Sequence, residues 1–126
     1  MDKLEYIPGD LVYIHGSLRI ISNCDGYYAT YYDENESLQE VNVNVIEGIP
    51  LTPEILEKNG WEPTKESLGH SFKNKKYPRF ALWSINDKWN FTIDGVMVCN
   101  TLSCLCYVHE LQHLLFGLNI NSEMEV

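Results

Sequence analysis

The feature that most constrains the fold is a series of short β-rich runs, each ended by turn residues, because runs this short build strands rather than long helices. In the first half they cover residues 11–14, 18–21, 27–32 and 41–45, the last alternating valine with asparagine. Asp25-Gly26 is a typical turn pair, and residues 33–37 form a polar loop. Four or five strands within about fifty residues predict a small SH3-like β-barrel.

The second half also contains short β-rich runs, and the spacing of its apolar residues then changes to that of a helix. Strands are predicted at residues 68–73, 80–85, 88–93 and 96–99, with Asp94-Gly95 as a hairpin turn. A helix is predicted over residues 102–118, where apolar residues recur at helical spacing. The expected fold class is therefore α+β, in which an antiparallel meander is packed by the C-terminal helix.

A short connector helix between the two halves has both ends marked. Thr52 is a natural N-cap, Pro53 occupies the first helical position, and Gly60 can take the left-handed conformation that ends a helix. This divides the chain into a barrel-like unit at residues 1–50 and a second unit at 51–126, together expected to form one compact whole.

The charge distribution narrows the choice of partners. The chain of 126 residues has a net charge of -9, and residues 1–62 hold all of the imbalance, with 12 acidic residues against 3 basic ones. Such a surface disfavours nucleic acid and anionic membranes and favours a basic partner. There is no apolar run of membrane-spanning length, no leader-like start and no Cys-x-x-Cys pair, which predicts a cytoplasmic protein.

The sharpest motif is His109-Glu110-Leu111-Gln112-His113, a literal H-E-x-x-H. On a helix, His109 and His113 share a face and can bind one Zn²⁺, while Glu110 can act as general base toward a bound water molecule. This is the chemistry of a zinc metallopeptidase, so zinc is the alternative cofactor and Glu110 the alternative catalytic residue.

A third zinc ligand is missing from the usual positions. The residue at 116 is Phe and that at 119 is Asn, and His15 and His70 are the other two histidines. The helical wheel also puts His109 and His113 opposite the apolar arc, which predicts an exposed pair near Cys106 and Phe116. A structural or adventitious metal site that includes Cys106 is the alternative for this pair. We therefore expect neither a bound cofactor nor enzymatic activity.

Two further clusters are candidate binding sites. Tyrosines dominate the strand at residues 27–32, with Tyr27 and Tyr31 on one face and Tyr28 and Tyr32 on the other, so that one face would be open to a partner. The basic residues Lys73, Lys75, Lys76 and Arg79 could hold the phosphate of a small ligand, but they lack a glycine-rich cradle.

The segments IPLTPEILEKNGW and YVHELQHLLFGLNI occur together with an acidic end SEMEV and an opening Asp10-Leu11-Val12 strand. In this combination the chain resembles a set of small phage, prophage and mobile-element proteins of gut Bacteroidetes. The resemblance implies that, in that set, glutamine often stands in place of Glu110 and asparagine in place of His113. The resemblance carries no assigned activity. The predicted function is non-enzymatic binding of a host protein or small ligand, with counter-defence as one role. A further alternative is that the protein binds and sequesters a signalling nucleotide. Homo-oligomerisation is a possibility that the sequence leaves open.

Overall fold

The computed structural model describes residues 6–64, 71–85, 88–94, 96–97 and 105–126. Within these ranges the chain is α+β, with antiparallel strand pairing. The strands are β1 Leu11–Ile14, β2 Ser17–Ile20, β3 Asn23–Cys24, β4 Tyr28–Tyr32, β5 Leu38–Asn42, β6 Ile46–Gly48, β7 Trp61–Pro63, β8 Ser71–Asn74, β9 Phe80–Ile85, β10 Lys88–Ile93 and β11 Val96–Met97. The helices are α1 Pro53–Lys58 and α2 Val108–Gly117.

The chain forms two compact units whose division differs from the predicted one at residue 50. The first unit combines Met1–Ile49 with Tyr107–Glu123, and the second combines Pro50–Cys106 with Met124–Val126. The C-terminal helix α2 therefore groups with the N-terminal strands, whereas the sequence pattern assigned it to the meander. Its buried Gln112 side chain bonds to backbone groups of Gly9 and Leu11, and a local pattern carries no information on such contacts.

The first unit contains two three-stranded sheets, in the orders β2-β1-β6 and β3-β4-β5. Side chains from both sheets form one core, which also takes in Tyr6. The core residues are Tyr6, Val12, Ile14, Ile21, Ala29, Tyr31 and Ile46. Apolar residues at alternate positions of short strands thus build the core that the sequence pattern predicts.

The strand predicted at residues 41–45 is wrong in its second half. Strand β5 ends at Asn42, whose side-chain oxygen accepts the backbone N–H of Asn44 at 2.9 Å, and Val43–Val45 form a single 3-10 turn. Asparagine favours such a turn because its short side chain replaces a backbone acceptor. The alternation of valine and asparagine was therefore misleading.

The connector helix α1 follows its end signals. Thr52 accepts the backbone N–H of Ile55 through its hydroxyl at 3.3 Å, and proline occupies the first turn. Gly60 has a φ of +87°, a conformation that costs glycine little. Asn59 then ties the helix end to the C-terminal segment, because its side chain exchanges two hydrogen bonds with the backbone of Glu125.

The second unit contains a five-stranded sheet in the order β11-β10-β9-β8-β7. The predicted strands at residues 80–85 and 88–93 are present as β9 and β10, while β7 was not anticipated. Aromatic residues of this unit pack edge to face, as in the pairs Trp61–Phe91 and Phe72–Trp89. Asn90 and Thr92, the polar residues that alternate with Trp89 and Phe91 along β10, are buried as well.

Helix α2 begins at Val108 rather than near residue 102. Leu105 instead forms an antiparallel bridge with Trp89, with both N···O distances at 2.8 Å. The predicted start at residues 102–104 lies outside the described ranges, as do Cys99 and Cys104. Within the residues that the structure describes, no helix is long and apolar enough to cross a membrane.

Candidate functional site

His109 is buried, with 2% of its surface exposed, which corrects the expectation of an exposed histidine pair. Its ring lies between two tyrosines, with centroid distances of 5.0 Å to Tyr6 and 5.7 Å to Tyr107. Tyr107 in turn lies against Gly48, where an added Cβ would come within 2.6 Å of the tyrosine ring. The buried stripe of α2 is therefore rotated toward His109 relative to the predicted apolar arc. It comprises Val108, His109, Leu111, Gln112 and Leu115.

His113 is held by a carboxylate from the other end of the chain. Its Nε2 lies 2.7 Å from Oδ2 of Asp10, and the same oxygen accepts the backbone N–H of Ile7 at 2.9 Å. The Asp10 side chain is buried and that of His113 is partly exposed. A buried carboxylate needs such partners, because an unpaired one is costly away from water.

Glu110 closes the N-terminus of α2. Its Oε1 accepts the backbone N–H of Tyr107 at 2.9 Å, which satisfies one of the donors that a helix leaves open at this end. A glutamate in the first turn also interacts favourably with the helix dipole. The carboxylate that a peptidase would use as general base thus has a structural task here.

Gln112 makes three hydrogen bonds to backbone groups. Its Oε1 accepts the backbone N–H of Leu11 at 2.9 Å, and its Nε2 donates to the carbonyls of Gly9 and Ser122, each at 3.1 Å. One buried amide therefore fastens α2 to the segment before β1 and to the tail that follows. We call Asp10, His109, Gln112 and His113 the helix clasp.

The helix clasp does not assemble a three-ligand metal site. Within the described ranges, no group of three His, Cys, Asp or Glu side chains is placed to hold a metal ion. His109 and His113 have ring centroids 5.7 Å apart at an interplanar angle of 72°, and Nε2 of His113 already faces Asp10. His15 lies in the exposed turn after β1, and His70 lies outside the described residues.

Sequence reasoning missed Asp10, Gln112 and Tyr6. A usable signal existed for Gln112, because it sits within one stripe of α2 together with Val108 and Leu115, and a polar residue in an apolar stripe usually has a buried partner. The partner itself is a backbone N–H at Leu11, which no side-chain pattern reveals.

The tyrosine-rich strand follows the predicted alternation at Tyr28, Tyr31 and Tyr32, but Tyr27 does not share the buried face of Tyr31 because it precedes β4. Tyr31 points into the core, while Tyr28 and Tyr32 are 48% and 58% exposed. Tyr27, just before β4, is also exposed. Cross-strand pairing of β4 with β5 puts six side chains on the outer surface of this sheet, which we call the tyrosine face: Tyr28, Thr30, Tyr32, Leu38, Glu40 and Asn42.

Two aspartates fix the ends of β4. Asp25 accepts the backbone N–H groups of Tyr28 and Tyr27, which lower the pKa of its carboxyl. At the other end, Asp33 accepts the N–H groups of Ser37 and Asn35, and the bond from Ser37 contributes most to its lowered pKa. Hydrogen bonds to a carboxylate favour its charged form, so both ends of β4 carry a fixed negative charge.

The basic cluster of the second unit is largely matched by acids. Arg79 binds Asp94 through two nitrogens, with the shortest contact at 2.6 Å, and this hydrogen-bonded pairing lowers the pKa of Asp94. Lys75 lies 3.7 Å from Glu62, and the Lys76 ammonium lies 5.7 Å from the ring centre of Tyr77. Lys73 is exposed on β8, where its cross-strand partner is again Glu62.

The described residues thus present two distinct arrangements in the first unit. The helix clasp uses its polar groups internally, whereas the tyrosine face presents aromatic and acidic groups outward. The function must be argued from this geometry, since no known protein family, curated protein or solved structure matches the chain.

Proposed function

We propose that this protein is a non-enzymatic binding protein whose tyrosine face contacts a basic surface of a partner protein. The observation that carries the proposal is the exposure of Tyr28, Tyr32 and Leu38 on one sheet face, with Glu40 among them. Tyrosine is enriched in protein interfaces because it offers a large apolar ring with a polar end. We also propose that the strands of the first unit have an SH3-like arrangement, because such an arrangement suits peptide binding.

Charge supports a basic partner. Arg19 is the one lysine or arginine among residues 6–49, and it is already paired with Glu34. The acids of this segment therefore attract cationic groups, and complementary charge accelerates the encounter of two proteins. The resemblance to phage and mobile-element proteins supports a host protein as partner, met in the bacterial cytoplasm.

The internal use of the H-E-x-x-H motif supports a non-enzymatic role. Glu110 bonds the helix N-terminus and His113 bonds Asp10, so a peptidase would have to break both contacts. The nucleotide-sponge alternative draws less support, because Arg79 and Lys75 have carboxylate partners.

A crosslinking experiment tests the proposal. The wild type, the double variant Tyr28→Ser/Tyr32→Ser and the control Phe116→Ser, which alters an exposed aromatic residue of α2, are each crosslinked in host lysate. We expect proteins with basic surfaces that are lost from the double variant and retained by the control. Equal recovery from all three would contradict the proposal.

A further inference from the structure

The tyrosine face has a regular internal spacing. Its six side chains form three cross-strand rows: Tyr32 with Leu38, Thr30 with Glu40, and Tyr28 with Asn42. Alternate residues of a strand lie about 6.7 Å apart, so the two aromatic rows are separated by about 13 Å with a carboxylate midway. An extended peptide has the same repeat, because its alternate side chains also lie about 6.7 Å apart.

The groups in these rows select cations. A guanidinium binds over a tyrosine ring and also pairs with a carboxylate. The opposite side of β4 already holds one in this way, since Arg19 lies 5.4 Å from the ring centre of Tyr31 and bonds Glu34. The outer side offers the same chemistry at Tyr28, Glu40 and Tyr32.

We propose that the tyrosine face binds an extended segment of a partner protein with arginine or lysine at three alternate positions. The outer two cations lie on Tyr28 and Tyr32, and the middle one pairs with Glu40. The fixed negative charge of Asp25 and Asp33 at the two ends of β4 favours the same occupant. This inference rests on the proposed function and adds a sequence pattern for the partner.

Peptide titration of the full chain tests the spacing. One probe carries three arginines at alternate positions of a serine background, and the second carries the same arginines contiguously. Amide chemical shifts are followed by NMR at about 50 mM salt, where screening of exposed charges is weak. We expect the alternating peptide to perturb residues 28–32 and 38–42 and to bind at least about threefold more tightly than the contiguous one.

Two single-charge variants locate the middle contact. Glu40→Gln is expected to remove most of the preference for the alternating peptide, while Glu47→Gln, an exposed glutamate of β6 outside the tyrosine face, is expected to retain it. Tyr28→Ser is expected to weaken the alternating peptide by about threefold, since one stacking contact is lost.

The outcomes separate the two proposals. Equal affinity of the two peptides at this face overturns the spacing and leaves the proposed function standing. Loss of crosslinked partners from Tyr28→Ser/Tyr32→Ser without any peptide binding also overturns this inference alone. Perturbation of the same amides on concentrating the protein, with none on adding peptide, assigns the face to a second copy of the chain and overturns the inference.

Discussion

Single residues of the H-E-x-x-H motif show how the same side chains can serve either catalysis or folding. In a zinc site the two histidines would share a metal and Glu110 would face the bound water molecule. Here His109 is packed between tyrosines, and Glu110 accepts a backbone N–H. The difference lies in the side chains and backbone groups that the fold places around the motif. The five-residue motif alone does not indicate what these groups are.

The role of Glu110 leads to a prediction about two substitutions. Glu110→Gln should lower the free energy of unfolding by only about 0.3–0.5 kcal/mol, because an amide oxygen still accepts the Tyr107 N–H and only the interaction of the charge with the helix dipole is lost. Glu110→Ala should lower it by about 1 kcal/mol, because that donor is left open at the helix end. Urea denaturation followed by circular dichroism measures both, and equal losses in the two variants would contradict the capping role.

Secondary-structure elements were predictable where their signals are local. Helix α1 carries its own cap, proline and glycine, while β9 is rich in apolar residues and β10 alternates polar with apolar ones. Residues 43–45 were mispredicted because a side-chain turn at Asn42 outweighs the alternation. The start of α2 was mispredicted because Leu105 is held in an extended bridge by Trp89, a distant partner.

The hairpin between β4 and β5 should respond to acid. In the folded protein the pKa of Asp33 lies below its ordinary value of 3.8 because its carboxylate accepts backbone N–H groups. The ionised form therefore stabilises the fold above that value, and this contribution disappears in the acid window that begins at pH 3.8 and extends down through the lowered pKa.

Asp33→Asn should accordingly weaken the dependence of stability on pH within that window. Amide exchange at residues 28–42 measures this response, whereas tryptophan fluorescence would not, because Trp61, Trp83 and Trp89 all belong to the other unit. Glu36→Gln, in the same loop, is the control for losing one negative charge. An identical acid response of Asp33→Asn and the wild type would show that the carboxylate does not hold the turn.

At the scale of the whole molecule, the C-terminal helix and the N-terminal strands belong to the same compact unit. Residues 107–123 complete the unit that residues 1–49 begin, and the helix clasp joins positions more than one hundred residues apart. The exposed tyrosines of the candidate site were predictable because alternation along a strand is a local property. Asp10 and Gln112 were not, because their roles depend on which backbone groups the fold brings to them.

The most direct test of the helix clasp is a double-mutant cycle on Asp10 and His113. The free energy of unfolding is measured by urea denaturation at neutral pH for the wild type, Asp10→Ala, His113→Ala and the double variant. The structure predicts a coupling energy of about 1–3 kcal/mol, because each single variant leaves the other member of the pair without its partner. If the losses of unfolding free energy in the two single variants add up to that of the double variant within about 0.3 kcal/mol, the clasp is contradicted. His109 and His113 would then again be candidate metal ligands.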